Sequence, residues 1–250
     1  MSVLLVLHGT RHPDGARTAR LLAARTAARL DRPVELAYAD VRGPTVAQAL
    51  ARVGAGPVTV VPAFLASGYH VRVDIPEQLR AAGRAPDATV TAPLGPSPEL
   101  LPALADRLAE AGVREGDAVL LAGAGTADPS ARGEVAGVAA RLGRLLSRPD
   151  PVPVGWAATA GPSVAEAVAR LRAAGARRVA VASWLLAPGL FADRVRASGA
   201  DAVAAPLAGH PAVVSLLARR ARAGAADGVG VTAPAGAPAP PGAYRASAMC

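Results

Sequence analysis

The sequence predicts an α/β protein with two similar domains, each a parallel, doubly wound sheet flanked by helices. Three observations support this fold class. The chain has 250 residues, of which 52% are hydrophobic, enough for two compact domains. Short apolar segments alternate with longer alanine-rich helical patterns, as in successive βαβ units. The pattern of the first half also recurs, in the same order, in the second half.

The internal repeat sets the domain boundaries. Four blocks of the first half align with four blocks of the second: 3–13 with 119–129, 34–53 with 152–171, 58–68 with 179–189, and 92–94 with 205–207. We therefore predict one domain over residues 1–113 and a duplicated domain over residues 114–223. Residues 224–250 are mostly Gly, Ala and Pro without periodicity, which predicts a disordered tail.

Each element of the first domain has a local signal. Strands are predicted where short apolar runs are bounded by Gly, Pro or Asp, at 3–7, 33–38, 58–62 and 88–92. A helix is predicted over 14–30, Thr45 and Asp74 are candidate N-caps of the next two helices, and Ser97 precedes a last helix that ends before Gly112. Since strands alternate with helices, the connections are right-handed and the sheet is parallel.

Three side chains of metal-ligand type follow the first three strands. His8 and Asp40 come directly after the first and second strands, and His70 lies in the loop after the third. Ligands of open parallel sheets bind at the carboxyl ends of the strands, so we expect these three side chains to meet at one edge. Two imidazoles and a carboxylate suit a divalent ion such as Fe²⁺, Co²⁺, Ni²⁺ or Zn²⁺. The alternative is that each histidine only caps a loop.

The second domain provides an internal contrast. At the positions of His8, Asp40 and His70 it carries Ala124, Ala158 and Phe191, whereas many flanking glycines and apolar residues recur. This asymmetry indicates that the first domain holds a reactive site and that the second closes over it.

Nearby polar residues are further candidates. Arg11, Arg42 and Arg72 lie close in sequence to the predicted site and could bind substrate carboxylates, although each alone could be a solvated surface residue. His12 could be a proton relay or a solvated loop residue, and a helix-start role is favoured for His210.

Charge and composition exclude several classes of partner. The net charge is +8, but all 27 basic residues are Arg scattered over the chain, and only 3% of residues are aromatic, so we expect no nucleic acid partner. The longest apolar run, 179–192, contains Ser183 and Pro188 and is too short to span a membrane. No nucleotide is expected, because the Gly123-Ala124-Gly125 segment lacks the third glycine of a dinucleotide site.

Cysteine content and the N-terminus bear on location. Cys250 is the only cysteine, which excludes an internal disulfide and a cysteine metal cluster. The segment MSVLLVLHG lacks the features of an export signal and predicts a first strand. We expect a cytoplasmic protein.

Three segments resemble the class II chelatases of tetrapyrrole synthesis, the sirohydrochlorin ferrochelatase and cobaltochelatase family: LLVLHGTRHP at 4–13, AYADVRGPTVAQAL at 37–50 and VVPAFLASGYHVRVDIP at 60–76. The resemblance covers both domains and implies that they are chelatase-like, with a cleft between them. It implies insertion of Fe²⁺, Co²⁺ or Ni²⁺ into sirohydrochlorin or a related polycarboxylated tetrapyrrole, for siroheme or cobalamin. The metal-binding histidines of the family correspond to His8 and His70, which are then the expected catalytic residues. Asp40 stands where a glutamate is common.

Two other functions agree with the same residues. One is a carrier that binds a tetrapyrrole or a metal ion in the cleft without turnover. The other is a flavodoxin-like enzyme of small-molecule metabolism whose histidines are incidental. Metal uptake without metallation of the macrocycle would favour the carrier. Full activity in a variant with both His8→Ala and His70→Ala would favour the flavodoxin-like enzyme.

Overall fold

The computed structural model of the protein describes residues 1–227 and contains two four-stranded parallel sheets. The first comprises β1 (Ser2–Leu7), β2 (Val34–Tyr38), β3 (Val58–Pro62) and β4 (Ala88–Val90), in the order β2-β1-β3-β4. The second comprises β5 (Ala118–Gly123), β6 (Val154–Trp156), β7 (Val179–Trp184) and β8 (Ala202–Val203), in the order β6-β5-β7-β8. The two sheets have the same strand order, which confirms the predicted fold class of two similar, doubly wound halves.

Eight α-helices connect and cover the strands of residues 1–227. They are α1 (Pro13–Leu30), α2 (Val46–Val53), α3 (Ile75–Ala81), α4 (Leu101–Glu110), α5 (Pro129–Leu145), α6 (Val164–Ala173), α7 (Leu190–Arg196) and α8 (Pro211–Asp227). Thr45 caps α2 as predicted, in a reciprocal capping box with Gln48. The predicted cap at Asp74 is wrong, because its side chain makes no capping hydrogen bond to α3. A π-helical turn, His70–Asp74, runs directly into α3, and the Asp74 carboxylate has other partners.

The last helix of each half packs on the sheet of the other half. Helix α4 contacts β7 and α5, whereas α8 contacts α1, β3 and β4. The predicted boundary after residue 113 falls between α4 and β5, so it separates the two sheets but not the helices that cover them. A single apolar cluster therefore runs through both halves, from Leu5 in β1 to Trp184 in β7.

The outer face of each sheet has its own core. Leu4 and Val6 of β1 pack against α2 and α3, whereas Leu5 points to the opposite face, as the alternation of a strand requires. Leu120 and Val181 form the matching cluster in the second half. Burial on both faces explains why these strands are continuous apolar runs.

The C-terminal helix extends further than the sequence pattern indicated. Residues 224–227 of the predicted tail belong to α8, and the rest of that tail lies outside the described residues. Gly224 is buried, and a Cβ on it would lie 2.8 Å from Thr59 Cγ2 and 2.6 Å from Thr91 Cγ2. The absence of a side chain therefore lets α8 approach the first sheet. None of the helices described here combines the length and the apolar character that crossing a bilayer requires.

Candidate metal site and cleft

The carboxyl edge of the first sheet carries the three predicted ligands. Hydrogen bonds from Ala39 N–H to Leu7 O (2.8 Å) and from Asp40 N–H to His8 O (3.0 Å) extend the pairing of β1 and β2 beyond both strands. Gly9 has a φ of +101°, and a Cβ there would lie 2.3 Å from Asp40 O. A glycine at this position thus allows the His8 and Asp40 loops to touch.

His8, Asp40 and His70 come together in the structure. One ligand atom from each lies within 4.8 Å of the others, and the two imidazole centroids are 4.6 Å apart. His70 is the first residue of the π-helical turn, and the segment that leads to it from β3 is here called the His70 loop (residues 64–70). His8 and His70 are 62 positions apart in sequence, and they meet because β1 and β3 are neighbours in the sheet.

An aromatic ring and a hydrogen-bond chain support His70. Phe64 stacks on its ring with centroids 5.9 Å apart. On the other side, His70 Nδ1 is 2.7 Å from Asp74 Oδ2, and Gln78 Nε2 donates to Asp74 Oδ1 (2.8 Å) and to Ala39 O (3.0 Å). With Nδ1 bonded to a carboxylate, Nε2 is the nitrogen left to bind an ion.

The pKa values of two groups reflect this arrangement. Partial desolvation in the concave site, followed by the charge of His70, lowers the pKa of His8 below its ordinary value. Burial alone would raise the pKa of Asp74, but hydrogen bonds from His70 and Gln78 outweigh it and leave that pKa lowered. A neutral His8 and an ionised Asp74 are the forms that metal ligation and imidazole orientation require.

A cavity of about 620 Å³ lies between the halves and opens beside the ligands. His8, Thr10 and Phe64 line it from the first half, and the segment equivalent to the His70 loop, here called the Phe191 loop (residues 185–191), lines it from the second. Ala124 and Phe191, which replace two of the ligands, stand on this second wall. In the described chain the ligand set therefore occupies one side of the cleft only.

The three arginines predicted to bind substrate have different surroundings. Arg11 is exposed and lines the cavity. Arg42 does not line it, because its guanidinium lies 5.3 Å over the Tyr38 ring and donates to Thr10 O at 3.3 Å. Arg72 points to the second half, where it donates to Ser130 Oγ at 3.0 Å. The structure thus keeps Arg11 as a substrate-binding candidate and gives the other two structural partners.

The remaining histidines cap helices. His12 Nδ1 accepts from Asp14 N–H at the start of α1, and its ring also lines the cavity. His210 Nδ1 accepts from Ala212 N–H, and its Nε2 is 3.1 Å from Asp106 Oδ2. The helix-start role favoured for His210 is confirmed by these contacts.

Sequence reasoning missed the roles of Asp74, Gln78 and Phe64. Two of these carried a signal, because His70, Asp74 and Gln78 follow one another at intervals of four and so share one side of a helical path. Phe64 had no such signal, since its contact with His70 depends on the shape of the loop between them.

Fold and site together define a chelatase-like class: a duplicated α/β protein with a candidate divalent-metal site on one wall of a central cleft. A sequence model of the CbiX family matches residues 2–111 and 118–223. The chain therefore belongs to the CbiX family, which confirms the resemblance seen in its motifs.

Individual relatives agree with this assignment. The sirohydrochlorin ferrochelatase of Bacillus subtilis (strain 168) is 27% identical over 202 residues, which is 78% of this chain and 77% of the relative. The sirohydrochlorin cobaltochelatase of Saccharolobus solfataricus is 32% identical over 111 residues, 38% of this chain and 83% of the relative. The structure of SirB from Bacillus subtilis with Fe³⁺ covers 90% of this chain and 96% of its own, with a TM-score of 0.75 and 26% identity.

Proposed function

We propose that this protein inserts a divalent metal ion, Fe²⁺ or Co²⁺, into sirohydrochlorin. The observation that carries the proposal is the meeting of His8, Asp40 and His70 ligand atoms, within 4.8 Å of one another, at a cleft between the halves. Membership of the CbiX family and similarity to proteins named as sirohydrochlorin ferrochelatase and cobaltochelatase support this reaction.

Metal insertion exchanges one dication for two pyrrole protons. His8 and His70 bind the incoming ion through neutral imidazole nitrogens, and Asp40 contributes negative charge. The three ligand atoms already lie within 4.8 Å of one another, so side-chain rotations could bring them onto one ion. As the ion passes to the macrocycle, the imidazoles are freed and can accept the released protons.

The lowered pKa of His8 keeps its imidazole neutral. A neutral imidazole is the form that ligates metal, and it is also the form that accepts a proton. Asp74 keeps the pair ready, because its carboxylate orients His70 and compensates positive charge on that ring.

The cleft suits a flat macrocycle with charged substituents. The residues that line it from the second half are mostly apolar, among them Leu186, Leu190 and Phe191, and such a wall can cover the face of a tetrapyrrole. Arg11 at the edge can pair with a substrate carboxylate, and the excess of positive charge favours capture of a polyanion.

We also propose which metal ions and which partners take part in the reaction, and where the enzyme is located. Fe²⁺ and Co²⁺ are the first candidates, and Ni²⁺ belongs to the set because nitrogen and oxygen ligands accept it as well. We propose that the reaction needs no nucleotide, that neither nucleic acid nor a membrane is a partner, and that the enzyme is cytoplasmic, in keeping with its single cysteine.

An anaerobic absorbance assay tests this function. Purified protein is mixed with sirohydrochlorin and, separately, Fe²⁺, Co²⁺ and Ni²⁺, alongside protein-free controls. We expect metallation well above the control, and loss of that gain in His8→Ala. His210→Ala is the matched control, because it removes a histidine that caps a helix and does not line the cavity. Macrocycle binding without metallation by any of the ions would contradict the proposal and indicate a carrier.

A further inference from the structure

The two halves hold each other's loops through pseudo-symmetric contacts. The His70 loop packs against the start of the second half, where a Cβ on Gly68 would lie 3.8 Å from Thr126 Oγ1. The Phe191 loop packs equivalently on the first half, where a Cβ on Gly189 would lie 3.1 Å from Thr10 Oγ1. Each loop therefore places a glycine backbone close to a threonine side chain of the other half.

Two polar contacts to the His70 loop come from the second half. Ser67 donates its backbone N–H to Glu134 Oε2 of α5 at 2.7 Å. Trp184, at the end of β7, donates its indole N–H to Leu65 O at 2.9 Å. Both bonds hold the main chain of the loop that carries His70.

Arg72 adds an ionic contact just after His70. Its guanidinium lies 3.5 Å from Glu134 Oε1 and 3.7 Å from Asp128 Oδ2. The Arg72 side chain is 44% exposed, so water screens these ion pairs. The short, charge-assisted bond between Glu134, which is 21% exposed, and Ser67 N–H is the stronger restraint.

The groups that make these polar contacts have no counterparts in the Phe191 loop or in the residues around it. At the positions of Ser67, Glu134 and Arg72 stand Pro188, Thr18 and Asp193. A proline has no backbone N–H to donate, so the bond to Glu134 has no equivalent. Among residues 1–227, the restraint by Glu134 thus acts on the loop with a metal-ligand residue and has no counterpart on the Phe191 loop, although the scaffold is duplicated.

We propose that Glu134 is a positioning residue for metal insertion. From the half without ligands it holds the His70 loop by the Ser67 N–H, with Arg72 as its ionic partner, and so sets the position of His70 relative to His8. This inference rests on the proposed function, in which His70 binds the ion. The second half then does more than cover the substrate, because it determines how well the first half binds metal.

Co²⁺ binding, followed by the visible absorption of the ion with no macrocycle present, tests this role in the full chain. Glu134→Ala removes the acceptor, and we expect about a tenfold loss of Co²⁺ affinity and a fall in kcat for metallation with a smaller change in the sirohydrochlorin KM. Glu134→Gln keeps a carbonyl oxygen for Ser67 N–H, so its Co²⁺ affinity should stay within about threefold of the parent.

A matched control separates positioning from general stability. Asp201 accepts from Val179 N–H at 2.8 Å and pairs with Arg172, so it makes the same type of contact in a region that does not line the cavity. Asp201→Ala should lower the melting temperature and leave Co²⁺ affinity unchanged. If Glu134→Ala does not fold, Trp184→Phe gives the second test, because it keeps an aromatic ring and deletes the bond to the loop.

The outcomes distinguish this inference from the function on which it rests. Weaker Co²⁺ binding in Glu134→Ala, with Asp201→Ala unaffected, supports it. Parental Co²⁺ affinity and kcat in a folded Glu134→Ala overturn it while His70→Ala still loses binding. If Glu134→Ala does not fold, the same two outcomes are read from Trp184→Phe. Retention of Co²⁺ affinity and activity by His70→Ala itself would instead refute the metal-site proposal.

Discussion

Replacing Asp74 with asparagine should weaken metal binding without removing a ligand. In the parent, the two carboxylate oxygens accept from two donors, His70 Nδ1 at 2.7 Å and Gln78 Nε2 at 2.8 Å. In Asp74→Asn one of these oxygens becomes an NH₂ group, which faces a donor. At least one of the two bonds is therefore lost, and the charge that steadies the His70 ring disappears.

The size of the effect follows from these bonds. A hydrogen bond to a charged group contributes about 1.5–3 kcal/mol, and about 1.4 kcal/mol corresponds to a factor of ten in affinity. Loss of one such bond next to a ligand therefore predicts a 10- to 100-fold weaker Co²⁺ affinity, roughly the cost found for outer partners of metal-binding histidines. We expect a similar fall in kcat/KM for metallation.

Titration of the metal-free protein with Co²⁺, followed by visible absorption, measures this loss. Asp106→Asn is the matched control, since Asp106 pairs with His210 at 3.1 Å and lies away from the cavity. The reasoning is refuted if Asp74→Asn binds Co²⁺ as tightly as the parent while His70→Ala does not.

Three further predictions concern the loops, the substrate and pH. Gly9→Ala should cost about 1–3 kcal/mol of stability and lower activity, because it strains a φ of +101° and forces Asp40 away; equal melting temperature and turnover would contradict this. Arg11→Gln should raise the sirohydrochlorin KM several-fold and leave Co²⁺ affinity unchanged. Arg42→Gln loses a packed guanidinium and should chiefly lower the melting temperature. The opposite pattern in kinetics and thermal unfolding would reverse these assignments. Burial and His70 lower the pKa of His8, so this imidazole stays neutral when the pH falls to 6.5, the ordinary pKa of histidine. The midpoint of its NMR titration in metal-free protein should therefore lie below pH 6.5, and kcat/KM should decline only below that pH. A titration midpoint at or above 6.5 would show that the cause is misassigned.

The ligand trio was predictable from sequence because it depends on strand order more than on fine geometry. His8, Asp40 and His70 each follow a strand of one parallel sheet, and the carboxyl ends of such strands meet at one edge. The strands themselves were predictable, since burial on both faces makes them short apolar runs bounded by turn residues.

Contacts between the halves were not predictable in the same way. The apolar pattern of α8 shows that one face is buried, but not that the buried face rests on the first sheet. Likewise, Arg42 and Arg72 are close in sequence to the site, but their side chains turn to Tyr38 and to Ser130. Sequence proximity limits the distance from a site but leaves the direction of a long side chain undetermined.

A single-turnover transfer experiment tests most directly whether the ion at this site is the one inserted. Protein loaded with one equivalent of Co²⁺ is mixed anaerobically with excess sirohydrochlorin and a strong chelator that captures free cobalt. We predict close to one equivalent of metallated macrocycle from the parent, and none above the protein-free control from a variant with both His8→Ala and His70→Ala. Equal product from that double variant, or complete capture of cobalt by the chelator with no product from the parent, would contradict metal insertion at His8, Asp40 and His70.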